Sequence, residues 1–348
     1  MKWTLREVRW TLKSPVTSSA ATVSRRDAVL VKLEHEGFIG LGEASPLVEF
    51  GGEPVTQCRA ALGEAVKQLT RAPTGAADVE RLLERAPQLR SAPAARFAVE
   101  QALLDWVARR MGLPLRKLLS PGAAREVAVN ALLVANEPDA LRAEAADWVQ
   151  RGFNTLKLKV GARTPEEDLL RVRAVREGAG PGARLRLDAN GAWDVARAEH
   201  ALRMLGEVGL ELCEQPTPVR DPDALGEVAR LGLCPVAADE GLVVASSRES
   251  LARDADVLVI KPSLVGGLAP AIALGRKGRS SYVTAGYEGP IARAGAAHLA
   301  AALPKSAFAH GLNTGALLEK AGSPLDPVRG VLKLPDAPGL GLGPEVFG

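Results

Sequence analysis

The chain has 348 residues, 47% of them hydrophobic and 24% charged, with a net charge of +3. That length holds two domains, or one barrel plus about 100 further residues, and the near-neutral balance without basic clusters gives no support to nucleic-acid binding. No apolar run approaches the roughly 18 residues of a membrane span, the opening MKWTLREVRWTLK has no apolar signal core, and Cys58, Cys213 and Cys234 are too widely spaced for a disulfide framework or thiolate zinc site. A cytoplasmic protein is expected, with neither membrane nor nucleic acid among its partners.

Residues 3–12, 28–34 and 38–41 read as antiparallel strands, the last two joined by a turn at His35, Glu36 and Gly37. Apolar residues at three- and four-residue steps then predict helices over 54–70, 77–83 and 94–111. From Glu126 strands and helices alternate. The expected strands are 127–134, 155–160, 185–190, 210–214, 236–239, 257–261, 282–284 and 307–310, with helices including 138–150, 165–177, 195–208 and 291–302. Several of these helices open with Pro in the first turn. The alternation also suits a doubly wound sheet, but eight strands with crossover helices favour a closed barrel. The fold predicted is a modified TIM barrel, (β/α)7β, carrying an α+β capping domain. Its expected divisions are a cap over 1–120, a barrel over 121–320, and a Gly- and Pro-rich tail over 321–348 that has no strand slot in the barrel and returns to the cap.

Five ionisable residues close successive predicted strands: Lys159, Asp188, Glu214, Asp239 and Lys261, 22 to 29 residues apart. In a parallel barrel such strand ends share one rim, where these barrels place their chemistry. Period-two alternation in Leu156-Lys157-Leu158-Lys159-Val160 turns the leucines and the valine toward the helices and both lysines inward. A single Lys-x-Lys is more often a solvated surface strand, yet interior ammoniums call for compensating anions, and the next three strands end in Asp188 with Asn190, Glu214 and Asp239. Asp194, in the following loop, reads as a helix cap. Carboxylates without His or Cys partners select Mg2+, or Mn2+, over zinc. Lys261 stands across the ring from Lys159. A metal between two lysines suits abstraction of a hydrogen α to a carboxylate: the cation stabilises the enediolate, and its charge with that of Lys157 is expected to depress the pKa of Lys159. The implied partner is a small-molecule carboxylate, and self-association is left open.

In this order these residues resemble the enolase superfamily, as do Ala98-Val-Glu-Gln-Ala-Leu-Leu-Asp105-Trp106, Gly112-Leu-Pro-Leu-Arg-Lys-Leu-Leu119 and Lys261-Pro-Ser-Leu-Val-Gly266-Gly267. A lysine base with a metal-stabilised enediolate is that superfamily's known chemistry. The Lys-x-Lys on strand two and the lysine on strand six are similar to the muconate-lactonising subgroup, which includes o-succinylbenzoate synthases, N-acylamino acid racemases, dipeptide epimerases and cycloisomerases. The resemblance implies Asp188, Glu214 and Asp239 as Mg2+ ligands, Lys159 as base, Lys261 on the opposite face, and Lys157 and Asn190 in support.

Gly40-Leu-Gly-Glu43-Ala-Ser45-Pro46-Leu47 and Ala309-His-Gly-Leu-Asn313-Thr314 look most like the synthase, whereas dipeptide epimerases carry an Asp-x-Asp at the last strand that is missing here. Thr284-Ala-Gly286-Tyr287-Glu288 departs from the synthases' Ser-Ser-x-Glu-Ser. Candidate substrate contacts are Ser45, Gly266, Gly286 and His310. The loop 43–50 is expected to close over the substrate, with Glu43 itself more readily a solvated turn residue. The expected activity is o-succinylbenzoate synthesis, with an N-succinylamino acid racemase as its nearest rival. A non-catalytic barrel that only binds is the rival from another class, and the intact lysines and carboxylates argue against it.

Overall fold

A computed structural model describes residues 1–277, 279–319, 323 and 325–348. Strands β1 (Lys2–Thr17), β2 (Thr22–His35) and β3 (Phe38–Ala44) form an antiparallel sheet in chain order. Glu36 and Gly37, both at positive φ (49° and 78°), make the tight β2–β3 turn, the geometry whose twist matches paired strands. β1 runs five residues beyond the predicted strand because pairing resumes at Val16↔Val23 after an irregularity. The buried face of this sheet packs on α3 (Pro93–Arg110), with α1 (Val55–Gln68) and α2 (Ala76–Leu83) alongside and the short α4 (Leu115–Leu119) following. β3 approaches α3 so closely that a Cβ on Gly42 would lie 1.9 Å from the Ala98 carbonyl oxygen. Only glycine fits there.

The predicted strand 127–134 is divided into β4 (Glu126–Ala128) and β5 (Ala131–Leu132). β5 opens a parallel sheet that continues through β6 (Thr155–Lys159), β7 (Arg184–Asp188), β8 (Leu210–Glu214), β9 (Val236–Ala238), β10 (Val257–Ile260) and β11 (Ser280–Val283). The eighth predicted strand, 307–310, is not a regular strand. Parallel bridges Val129↔His310 and Thr284↔Gly311 complete the ring in its place. The helices are α5 (Pro138–Gln150), α6 (Pro165–Ala179), α7 (Val195–Leu205), α8 (Pro222–Arg230), α9 (Arg248–Asp254), α10 (Pro262–Val265), α11 (Leu268–Gly275) and α12 (Pro290–Ala302). Their starts are fixed locally: Thr164 and Glu167 form a capping box on α6, and Asp194 accepts from the Arg197 amide at α7.

Strand alternation sorts the side chains as the sequence predicts. Leu156, Leu158, Val160, Leu185 and Leu187 join the large core under the helices. Leu212, Ala237, Val257, Val259 and Tyr282 form a separate cluster with Phe308, made of the alternate, inward positions that plug such a barrel.

The tail does contribute a strand, though not to the ring: β12 (Val331–Lys333) pairs antiparallel with β4. Beyond it, the Leu115 amide donates to the Gly339 carbonyl (2.7 Å) and the Leu340 amide to Asp105 (2.7 Å), so the tail lies on the α3–α4 region. The expected division between 320 and 321 falls outside the described residues. No helix among the described residues is long and apolar enough to cross a membrane.

Candidate active site

Strand register sets the site. Lys159 pairs with Asp188, Asp188 with Glu214, and Glu214 with Ala237, so lysine and carboxylates from three adjacent strands stand at one level. Asp239 follows Ala237 by two residues and Lys261 follows the end of β10 by one, which puts both on the same rim. All three carboxylates are buried. Lys157 Nζ lies 3.0 Å from Asp188 Oδ2 and 2.9 and 3.1 Å from the two Glu214 oxygens. Lys159 Nζ donates to Asp188 Oδ2 (3.2 Å) and Asn190 Oδ1 (2.5 Å), Asn190 Nδ2 donates to Glu240 Oε1 (2.7 Å), and Lys261 pairs with Asp239. The Tyr282 hydroxyl, inward on β11, donates to Glu214.

Burial works against charge at Asp188, Asp239 and Lys159, and the neighbours decide the outcome. Burial alone would raise Asp188, but Lys157 and Lys159 hold it well below the usual carboxylate range. Asp239 has Glu240 beside it, and burial with that like charge pushes it up despite Lys261. For Lys159 burial and the Lys157 charge press downward, yet Asp188, with Tyr287 and Glu240, outweighs them and raises the ammonium above the ordinary lysine value. The depression expected from Lys157 is therefore present as a contribution and overruled by the adjacent carboxylate.

A cavity opens above these groups. Lys157, Lys159, Lys261, Asp188 and Asn190 form its floor, and Leu47, Phe50, Leu132, Tyr287, Asn313 and Thr314 are among its walls. The Phe50 ring faces both ammoniums, its centroid 5.8 Å from Lys159 Nζ and 5.5 Å from Lys261 Nζ.

Of the four expected substrate contacts, Gly286 lines this cavity and the others do not. The Ser45 hydroxyl is spent on Glu43 (2.7 Å), and the Gly266 carbonyl accepts from Arg96 on the cap side. His310 is buried, its Nδ1 accepting from the Val283 amide (3.0 Å), with burial holding its pKa down to about 3. Glu43 is not solvated: it is buried and accepts from Trp10 Nε1 and from the amides of Gly289, Ile291 and Ala292 at the start of α12.

Residues 140–345 match the family described as enolase C-terminal domain-like, and residues 1–120 match the mandelate racemase / muconate lactonizing enzyme N-terminal domain. The chain belongs to the enolase superfamily. Within it the match is to the muconate-lactonising subgroup, whose members are enzymes: lyases, epimerases and racemases. The chain is 32% identical over 343 residues to the hydrophobic dipeptide epimerase of Enterococcus faecalis, covering 95% of this chain and 94% of that one. It is 40% identical over 221 residues to the o-succinylbenzoate synthase of Thermobifida fusca, covering 61% and 68%. The crystal structure of the Enterococcus faecalis dipeptide epimerase complexed with Mg and L-Leu-L-Tyr superposes with a TM-score of 0.89 at 29% identity, covering 97% and 98% of the two chains.

As placed, no three Asp, Glu, His or Cys groups among the described residues converge as a ready metal cluster. The lysines explain this, since Lys157 stands between Asp188 and Glu214 and Lys261 engages Asp239. The donor set of this enolase-superfamily rim still fits a hard divalent cation. Three carboxylates end three adjacent strands, and Asp239 Oδ1, with Glu240 Oε2 beside it, is a buried oxygen with no hydrogen-bond partner.

Sequence reasoning missed Glu240, Tyr282 and the wall residues Tyr287 and Asn130. Tyr282 was open to the same period-two argument as the lysines. Glu240 was not: β9 ends at Ala238 and a 3-10 turn, Glu240–Leu242, begins two residues later, so alternation no longer tells where the side chain points.

Proposed function

We propose that this protein is an o-succinylbenzoate synthase, which removes water from 2-succinyl-6-hydroxy-2,4-cyclohexadiene-1-carboxylate in menaquinone biosynthesis. The observation that carries the reading is the charge of the cavity wall. Three ammoniums face the cavity, and Asp188 is its one acid among the described residues. A substrate with two carboxylates and no ammonium suits that wall. A dipeptide would bring an α-ammonium, and the walls at Asn313, Thr314 and Tyr287 offer it no carboxylate. The identity to the Thermobifida fusca synthase supports the same choice.

Asp188, Glu214 and Asp239 would hold the metal, proposed as Mg2+. When bound, it supplies Lewis-acid stabilisation of the charge that builds on the substrate carboxylate. Lys159 takes the ring proton α to that carboxylate and then gives a proton to the hydroxyl departing from the same face. Lys261, on the other side, holds a positive charge against the electron-rich ring. Lys157 keeps Asp188 ionised and pairs with Glu214. The 1–120 unit acts as the cap, and Phe50 from it excludes water over both lysines.

A second reading, N-succinylamino acid racemase, is favoured by the same two opposed lysines, which serve two-base proton exchange equally well. Purified protein with Mg2+ should be given the dehydration substrate and N-succinylamino acids separately. Rapid dehydration supports the synthase. Fast racemisation without dehydration reverses the order of the two.

A further inference from the structure

Glu240 has no part in the scheme above, yet it is tied to the base through one side chain. Lys159 Nζ donates to Asn190 Oδ1 (2.5 Å), and Asn190 Nδ2 donates to Glu240 Oε1 (2.7 Å). Glu240 is buried, and its second oxygen meets no donor. Asn190 is held from its backbone as well: it sits at a positive φ of 45°, and its amide donates to Asp188 Oδ1 (3.2 Å). Its side chain therefore stands between two fixed partners of opposite kind.

A carboxylate only accepts and an ammonium only donates, so an amide between them has one satisfied orientation, with nitrogen toward Glu240 and oxygen toward Lys159. The orientation matters once Lys159 is a neutral amine. Facing the Asn190 oxygen, the amine donates one N–H and keeps its lone pair for the substrate's α-hydrogen. Turned end for end, the amide would place an N–H against that lone pair and occupy it. We propose that Glu240 is a positioning residue: by fixing the amide of Asn190 it keeps the lone pair of Lys159 free and aimed at the substrate. This rests on the reading of Lys159 as base.

The test exchanges the polarity of the link. Glu240→Met removes the acceptor that Asn190 needs, which a glutamine, with its own carbonyl oxygen, would keep. Asn190→Asp makes position 190 acceptor-only and sets it against the Glu240 carboxylate. Glu240→Gln combined with Asn190→Asp restores the chain in reverse at unchanged net charge: the new amide at position 240 donates to the new carboxylate at position 190, which still accepts from Lys159. In the Mg2+-loaded enzyme, product formation is followed on the dehydration substrate, and solvent-deuterium exchange at the α-carbon is followed on N-succinylamino acids. Each single variant is expected to lose about 10- to 100-fold in kcat, the scale of a misaligned catalytic group, with little change in KM, and the double variant to regain much of that loss. Glu240→Met at wild-type kcat, or a double variant no better than Asn190→Asp alone, overturns the proposal.

A substrate-free measurement separates this from the functional reading. In protein labelled with 15N-asparagine, one Asn190 side-chain amide proton should be displaced downfield by the carboxylate, and the displacement should vanish in Glu240→Met. If the wild type acts on neither substrate, the functional reading fails and the amide signal still decides whether the link exists. A wild-type spectrum without the displaced proton overturns the link even in an active enzyme.

Discussion

Two groups of buried carboxylates in this molecule differ in what they bond. In the cap and along its seam with the barrel, Glu43, Glu53, Glu100 and Asp105 hold backbone amides. Glu43 takes those at the start of α12, Glu53 those of Ala94 and Ala95 at the start of α3, Glu100 those of Leu268 and Ala269 at α11, and Asp105 those of Leu41 and Leu340. At the barrel mouth, Asp188, Glu214 and Asp239 are met by ammonium groups, and Asp239 and Glu240 keep oxygens with no partner. The first set completes helix ends and joins segments distant in sequence. The second leaves coordination capacity unspent, which a fold has no structural reason to retain. Burial of an acid thus says little about function until its partners are known.

Substitutions on either side should separate the two regions. Lys159→Ala is expected to give the largest effect, a loss on the order of 10^3-fold or more in α-proton exchange, with a melting temperature close to that of the wild type. Exchange at the wild-type rate would remove Lys159 from the mechanism. Asp239→Asn should come next, weakening Mg2+ binding by about 100-fold in a calorimetric titration while circular dichroism stays native; unchanged affinity would take Asp239 out of the ligand set. On the structural side, Glu43→Ala should lower unfolding free energy by roughly 2 kcal/mol through unsatisfied amides at α12. Denaturant unfolding measures it, and a loss of activity without loss of stability would show that Glu43 had been assigned to the wrong region.

Per pH unit, the smallest effect expected is on the pH dependence of stability. His298 is buried, its Nδ1 accepting from the Arg116 amide (2.9 Å), and burial lowers its pKa from 6.5 to about 4. Between those values the unfolded chain binds a proton that the folded one refuses, so His298 favours the folded state above pH 6.5 and that contribution is lost as pH falls toward 4. His298→Asn keeps an acceptor for Arg116 and does not titrate. Its stability should fall less steeply through that window, by roughly 1 kcal/mol per pH unit. Parallel wild-type and variant curves would contradict the assignment.

The parts of this architecture visible in the sequence are those where one periodicity runs to the end of an element. Leu156, Leu158, Leu185 and Leu187 alternate with charged residues up to the strand ends, so both the helix-facing core and the rim follow from counting by two. Counting fails where the strand stops. Segment 127–134 divides because β4 turns to the antiparallel β12, a partner about 200 residues away that no local pattern announces. His310 misled for a related reason: its place at a strand end suggested the pocket, while its ring serves the Val283 amide. Phe50 reaches the cavity from a 3-10 turn, Val48–Phe50, and Tyr287 from an irregular segment at a positive φ of 61°. Their position depends on how the cap sits on the barrel, which no single stretch encodes.

The ring closes between its last and first strands through single bridges, Val129↔His310 and Thr284↔Gly311, whereas β6 and β7 pair over five residues and β7 and β8 over four with one irregularity. Strand pairing is accordingly uneven around the rim. The arc that carries Lys159, Asp188 and Glu214 is the more extensively paired one, and Asn313 and Thr314, which line the cavity, follow directly on the singly bridged side. On the proposed function, a change of substrate tail would be met on that sparsely joined side without moving Lys159 or its neighbouring carboxylates.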